Sequence, residues 1–288
     1  MRLVLKQSDT LLNKKLNISK RVIPSFDTAW HHHKEIELLY ISQSNGIRFV
    51  GDHVAPFFPG DLVLVGSHLP HLWRSDSSYY ESKSNRSVKT IVSKFTKDFL
   101  GADFFKNEEF YKVNKLLEAS KFGLCFSKEV SRDLHKEIMK LPELSSIEQH
   151  IGLLNILHKL SEVKESKLTI LSSSDMRQSG TDGADKIDLV LRYISDNYAS
   201  NINLEDVAGV ACMTTNSFCR FFKKMTNKSF TQFLNEIRIR NASRILIQEN
   251  LSVSEVCYLV GFNSMTYFNK QFKQIMNTTP KTYKMAIY

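Results

Sequence analysis

Long apolar runs are what this 288-residue chain most plainly lacks. No stretch approaches the ~18 uncharged apolar residues that mark a membrane-crossing helix. The opening MRLVLKQSDTLLNKKLNISKR breaks its apolar residues with charges and has no small-residue cleavage site, so it does not read as a signal peptide. A cytoplasmic protein without membrane contact is expected. Cysteine is scarce too. Cys125, Cys212, Cys219 and Cys257 form no C-x-x-C pair, which excludes a zinc finger and a disulfide framework and leaves reduced, mostly packed thiols. In the last third glycine is rare and proline occurs only at Pro280, so little interrupts helices there.

What is present is a basic surplus. The formal net charge is +9, a weak pointer to nucleic acid on its own. Its placement says more. From Asp185 onward there are 13 Lys+Arg against 8 Asp+Glu, net +5. Seven basic residues (Arg220, Lys223, Lys224, Lys228, Arg238, Arg240, Arg244) lie within one stretch, opposed only by Glu236. The bland reading of such a run is a solvated helix face.

The length suggests about two domains. SSSDMRQSGTDG, from residue 172, is rich in Ser, Gly and Asp and reads as a linker over 172–184. Before it, EIELLYI, GIRFV, DLVLVG and VKTIVSKF are strand-like runs punctuated by Pro56, Pro59 and Gly60. Residues 127–164 then show helical spacing, with Leu134, Ile138 and Leu141 on one helix and Ile151, Leu154, Ile156, Leu157 and Leu160 on a second. After the linker the spacing is helical throughout. The fold class expected is α+β and multidomain, with a sheet and a helical pair in residues 1–171 and an all-α domain in residues 185–288.

The all-α part repeats itself. FCRFFKKMTNKSFTQF (218–233) aligns with FNKQFKQIMNTTPKTY (268–283) at an offset of 50. Phe218 meets Phe268, Arg220 meets Lys270, Phe222 meets Phe272, Lys223 meets Lys273 and Phe233 meets Tyr283. Upstream the offset is 49, pairing Val207 with Val256, Ala208 with Cys257 and Ala211 with Val260. Each copy has a short helix with a small residue, a tight turn (CMTT or GFNS) and an aromatic, basic second helix. That is a helix-turn-helix, with Thr214 and Ser264 as N-caps. Gly261 suits a left-handed turn, where Cys212 stands in the first copy. The phenylalanines read as core. Thr215, Asn216, Cys219, Arg220, Lys223 and Lys224 should face outward in one copy, and Met265, Thr266, Asn269, Lys270 and Lys273 in the other. Asn and Arg read base edges through paired hydrogen bonds, and Lys and Arg hold phosphates. An intervening helix of about 20 residues would be ~30 Å long, close to the ~34 Å of one DNA turn. Two such motifs could then enter successive major grooves.

The stretch VSEVCYLVGFNSMTYFNKQFKQIMNTTPKTYK closely resembles the C-terminal signature of AraC/XylS-family transcription regulators. The carriers are Gly261-Phe262, Ser264, Tyr267-Phe268, Phe272-Lys273, and Pro280 followed by Tyr283. MTTNSFCRFFKKMTNKSFTQFLNEIRIRNASRIL resembles the family's first repeat, so the likeness spans about 185–286. It implies a seven-helix domain binding double-stranded DNA and acting on RNA polymerase at promoters, usually as an activator. By position it implies base readout by Asn216, Cys219, Arg220, Asn269 and Lys270.

Many members of that family carry an N-terminal cupin-like β-barrel as a sensor, and the first half is similar. WHHHKEIE supplies H-x-H-x3-E through His31, His33 and Glu37, and PFFPGDLVLVGSHLPHLW a second part with Pro59-Gly60-Asp61 at a turn and His71 just before Trp73. The glycine expected after the first part is displaced to Gly46. Residues i and i+2 share a strand face, so His31 and His33 can point together. In metal-binding cupins two His, one Glu and a later His hold the ion, which here implies His31, His33, Glu37 and His71. Imidazole plus carboxylate suits zinc, iron, nickel or manganese. Two readings stay open: that metal site, or a metal-free pocket for a small molecule with Trp30, Tyr40 and Trp73 as walls. The second is preferred, so no cofactor is assigned. His32 reads as surface. The function expected is a ligand-responsive transcription regulator, homodimeric through the 127–164 helices, and not an enzyme. The alternative is a metal-dependent cupin enzyme fused to a DNA-binding domain, and a further one a constitutive DNA-binding protein whose barrel only dimerises.

Overall fold

The structure of the protein, a computed structural model, describes residues 15–26, 29–81, 85–176 and 183–285. The opening segment read for a signal peptide (1–14) and the middle of the expected linker (177–182) lie outside the described residues. Two compact units are distinct, one chiefly up to residue 178 and one chiefly beyond it. None of the described helices is long and apolar enough to cross a membrane.

The first unit is mostly antiparallel sheet. Its strands are β1 (Leu16–Ile23), β2 (Ile36–Gln43), β3 (Gly46–Val50), β4 (His53–Phe57), β5 (Asp61–Val65), β6 (His71–Ser75), β7 (Val88–Phe95), β8 (Leu124–Phe126) and β9 (Leu168–Ile170). The four apolar runs of the sequence are β2, β3, β5 and β7. Six strands form one sheet in the order β1-β7-β2-β5-β8-β9, and three form another, β4-β3-β6. Pro56 falls in β4, an edge strand, where a missing N–H breaks no ladder.

The central strands of the six-stranded sheet are buried on both faces, which is why β2 and β5 read as continuous apolar runs rather than alternating ones. Leu38, Tyr40, Leu62 and Leu64 pack toward helices α1 (Tyr111–Ala119), α2 (Lys128–Lys140) and α3 (Ser146–Ser161). Leu39, Ile41, Val63 and Val65 join Phe57 and Trp73 of the smaller sheet, and Leu69 of the turn before β6, in a second core. The layers are therefore helices, sheet, sheet. This corrects the expectation of a closed barrel. Closure would need a ladder between the two sheets, and among the described residues outside the named strands their link is the isolated bridge His31–His71. A buried ion pair, Arg48 Nη1 to Asp61 Oδ2 at 2.6 Å, ties β3 to β5, and Lys128 of α2 holds the other Asp61 oxygen at 2.9 Å.

In the second unit seven helices are described: α4 (Ala184–Asn197), α5 (Leu204–Val210), α6 (Thr215–Thr226), α7 (Phe230–Gln248), α8 (Val253–Leu259), α9 (Met265–Met276) and α10 (Pro280–Met285). Phe218 and Phe222 of α6 meet Phe230 and Phe233 of α7 edge-to-face, and Phe268 and Phe272 repeat the arrangement with Phe262 and Tyr283. Phe218, Phe222, Phe268 and Phe272 are fully buried. Helix α7 is buried nearly all round, polar residues included. Asn235 donates to the Tyr267 hydroxyl at 2.7 Å, Asn241 to the Ile237 carbonyl at 2.9 Å and Ser243 to the Arg240 carbonyl at 2.8 Å.

Candidate nucleic-acid interface and candidate ligand site

The sequence repeat recurs in the hydrogen bonds. Met213 donates its N–H to the Ala208 carbonyl (2.9 Å), and Phe262 to Cys257 (3.1 Å), at the same offset of 49. Between them Cys212 (φ 53°) and Gly261 (φ 90°) both take the left-handed conformation that ends α5 and α8. A side chain is tolerated at the first because Cys212 is exposed. At Gly261 a Cβ would lie 2.7 Å from the Ala199 carbonyl oxygen. Thr214 caps α6 by accepting from the Ser217 N–H (3.4 Å), and Ser264 caps α9 by accepting from Tyr267 (3.3 Å). Asn227 and Asn277 end α6 and α9 in left-handed geometry, φ 57° and 56°. That pair was legible in the sequence as asparagines 50 apart at the ends of aromatic helices, a C-cap signal. Ala208 and Cys257 are buried, as the small positions should be.

The outward faces follow. Asn216, Cys219, Arg220, Lys223 and Lys224 on α6 are exposed, as are Thr266, Asn269, Lys270 and Lys273 on α9. Thr215 is half-buried. Met265 is half-buried as well, and packs on the second-repeat core with Phe268 and Phe272. The basic run is not one solvated face. Lys228 and Arg240 converge on Glu236 at 2.5 and 3.7 Å, and Arg238 donates to the carbonyls of Tyr198 (2.7 Å) and Ser200 (2.8 Å). Those three arginine and lysine side chains build the domain. Arg220, Lys223 and Lys224 remain exposed for a polyanion.

In the first unit His31, His33 and His71 come together, each offering one ring nitrogen within 4.8 Å of the others. They do not share a strand face, as expected for His31 and His33, since β2 begins only at Ile36. Backbone bonds assemble them instead. His71 donates to the His31 carbonyl at 2.9 Å, and His68 to the His33 carbonyl at 2.7 Å. Glu37 lies on β2, with Oε2 3.2 Å from His33 Nε2 and 3.1 Å from Lys94 Nζ of β7. Burial alone would raise its carboxyl pKa, but the His33 hydrogen bond and the charge of Lys94 outweigh it and hold the group well below the usual carboxylate range. Burial pushes His31 down to about 4 and holds His71 well below the ordinary imidazole value. Both are neutral rings at pH 7, the form that binds metals or hydrogen-bonds a polar ligand.

Trp73 lies edge-on to His71 at 5.6 Å and is buried, as is Trp30. Tyr40 is not a wall of the same pocket. It points to the opposite face of the sheet, among the α2 side chains, where its hydroxyl meets His135 Nδ1 at 2.7 Å; the period-2 alternation of β2 separates it from Glu37. His32 is half-buried against His68, at 5.7 Å between ring centroids, rather than a free surface residue.

Residues 207–286 match a family described as a helix-turn-helix domain. The chain is 23% identical over 259 residues to YdeC of Bacillus subtilis (strain 168), named an uncharacterized HTH-type transcriptional regulator, covering 88% of this chain and 85% of that protein. It is 22% identical over 262 residues to the HTH-type transcriptional activator RhaS of Escherichia coli O81 (strain ED1a), covering 90% and 88%. Among solved structures it is similar to ToxT from Vibrio cholerae O395, at 14% identity and a TM-score of 0.37 over 96% of this chain and 99% of that one. The sequence relatives span both units and are regulators by name, which sets the enzyme reading aside. With its duplicated, capped helix-turn-helix motifs, this chain is a DNA-binding transcription regulator.

Proposed function

We propose that residues 185–288 bind two successive major grooves of double-stranded DNA, with α6 and α9 as the reading helices. One observation carries this reading: two equivalent exposed helix faces flank a single 19-residue helix, α7, about 28 Å long, which is near the rise of one DNA turn. Asn216, Cys219 and Arg220 on α6, and Asn269 and Lys270 on α9, are the base-reading set. Lys223, Lys224 and Lys273 hold phosphates, with Thr215 and Thr266 at the helix starts near the backbone. Met265 serves as core.

Residues 1–171 are the cupin-like sensing and dimerising part, joined to the DNA-binding part through residues 172–184. A small-molecule effector would bind beside Trp30, His31, His33, Glu37, His71 and Trp73. Homodimerisation is supported by the outer face of α3, where Ile147 and Ile151 are 74% and 63% exposed one turn apart. A ligand shifts DNA occupancy only by preferring one arrangement of the protein. In this reading the regulator works in the cytoplasm and recruits RNA polymerase as an activator.

The test is selection of bound DNA from a random-sequence pool by the full chain. Enrichment of a bipartite motif, with two elements about 10–10.5 base pairs apart centre to centre, is expected. Enrichment of a single short element that is unaffected by Asn269→Ala would refute the two-groove reading.

A further inference from the structure

We propose that Asp52 is a positioning residue that fixes the length of the tether between the two units, and with it the separation of DNA sites that a dimer can occupy together. The proposal rests on the reading of residues 1–171 as the dimerising part.

Asp52 lies in the turn between β3 and β4 and is 4% exposed. Its carboxylate collects the start of the expected linker. The Ser172 hydroxyl donates to Oδ1 at 3.0 Å, the Ser173 N–H donates to the same oxygen at 2.8 Å, and the Ser173 hydroxyl donates to Oδ2. Hydrogen bonds to a carboxylate are roughly twice as strong as those between neutral groups. Main-chain bonds lead the strap to this point: the Leu171 N–H donates to the Gly123 carbonyl at 2.9 Å, and the Ser172 N–H to that of Phe122 at 2.7 Å.

Two further observations are independent of the carboxylate. A Cβ on Gly51 would lie 2.3 Å from Ser172 Oγ, so the strap rests directly on the backbone of the turn. Met176 is 4% exposed and belongs to the second core with Phe57 and Trp73. Residues 172–176, which composition reads as linker, are therefore held on the first unit. A run of serines has the same composition whether its donors meet water or a carboxylate 120 residues away.

The other end is fixed within the second unit. Gly183 has φ 101°, a Cβ there would lie 2.5 Å from Phe221 Cε2 of α6, and its carbonyl accepts from the Ile187 N–H at 2.9 Å. Six residues, 177–182, separate the two anchors. The seven Cα steps from Met176 to Gly183 can span at most about 23–25 Å. Without the Asp52 clamp the last anchor is Ser172, and eleven steps reach about 36–40 Å. Two released tethers in a dimer gain about 26–29 Å together, which is about 8 base pairs at ~3.4 Å each.

The experiment uses the full chain. Analytical ultracentrifugation establishes the dimer, and binding is measured to DNAs carrying two copies of a selected site at increasing separation. Asp52→Ala should extend the greatest separation at which paired sites bind better than one by about 8 base pairs. It should weaken binding at the best separation about 2-fold, since effective concentration falls as roughly the −3/2 power of tether length. Met176→Ser should act in the same direction. A four-residue Gly-Ser insertion between residues 178 and 179 should reproduce Asp52→Ala, because it adds the same length with the clamp intact. Hydrogen exchange over residues 173–176 reports release of the strap. Tryptophan fluorescence verifies that the first unit is folded, and Asp52→Asn replaces Asp52→Ala if that variant is not. A merely structural Asp52 would lower stability and leave the spacing limit in place. A monomeric parent refutes the dimer reading and the spacing role with it. With a dimeric parent, the proposal alone is overturned by unchanged exchange in the folded Asp52 variant, or by a spacing limit that either this variant or the insertion leaves unmoved.

Discussion

Gly261→Ala should unfold or loosen the second repeat, while Cys212→Gly, at the equivalent turn of the first, should be nearly silent. Gly261 has φ 90°, and an added Cβ would meet three backbone atoms of Ala199: the oxygen at 2.7 Å, the carbonyl carbon at 2.9 Å and Cα at 3.1 Å. Left-handed geometry costs a residue with a Cβ about 1–2 kcal/mol. Forcing a methyl group against fixed atoms adds about 1–3 kcal/mol. The sum, about 2–5 kcal/mol, is a large part of the ~5–15 kcal/mol that holds a typical domain folded. Cys212 already occupies the left-handed region at φ 53° with its side chain exposed. Glycine there relieves about 1 kcal/mol of strain and returns about as much through the freer unfolded chain. Urea unfolding followed by far-UV ellipticity reports the helices. Tryptophan fluorescence is a built-in control, because Trp30 and Trp73, the chain's two tryptophans, both lie in the first unit. With a urea slope of about 1.5 kcal/mol/M, Gly261→Ala should lower the ellipticity midpoint by about 1.5–3 M and leave the fluorescence transition in place. An unmoved ellipticity midpoint, or equal destabilisation by Cys212→Gly, would refute the steric account of this turn.

Lys223→Ala should weaken binding to all DNA sequences and flatten the plot of log affinity against log salt by about one charge, whereas Arg220→Ala should relax preference at particular bases at a cost of about 1–3 kcal/mol; affinity series over salt and over operator variants separate the two. Ile151→Asp places a charge on the exposed α3 face and should shift the chain to monomer in analytical ultracentrifugation while changing its melting little; a dimer that persists would remove α3 from the interface. Metal-free protein should lose stability in acid through His31. Its pKa is held by burial at about 4, against 6.5 for the free imidazole, so below 6.5 the unfolded chain takes up the proton first. That contribution is complete above pH 6.5 and falls as pH drops toward 4, by about 2 kcal/mol between pH 7 and 5. His31→Asn should flatten the slope in fluorescence-detected urea unfolding, and a parent more stable at pH 5 than at pH 7 would contradict it.

The second unit was the more legible half because its determinants are local and occur twice. Helix spacing, the Thr214 and Ser264 caps and the small residues 208 and 257 each act within a few positions, and an offset of 49 or 50 checks one copy against the other. Charge counting misled there for a physical reason. Arg238 reaches carbonyls 38 and 40 residues away, and nothing in the spacing of a basic run distinguishes a side chain that staples α7 from one that meets a phosphate.

The histidine cluster shows the other limit. H-x-H-x3-E implied a shared strand face, yet His31 and His33 converge from a segment before β2, drawn in by a backbone bridge to His71 forty residues later. Their residue types were legible; the element carrying them was not, because it is a long-range pairing. The same holds for the partner of Glu37, whose Oε2 meets His33 at 3.2 Å and also Lys94, on the neighbouring β7, at 3.1 Å. Tyr40 was excluded by something the sequence did contain. Glu37 and Tyr40 are three apart on one strand, and an odd separation puts two side chains on opposite faces. Strand parity therefore restricts the candidate pocket to odd positions of β2 before any distance is measured, and the pocket residues left after that filter are the ones grouped around the three imidazoles.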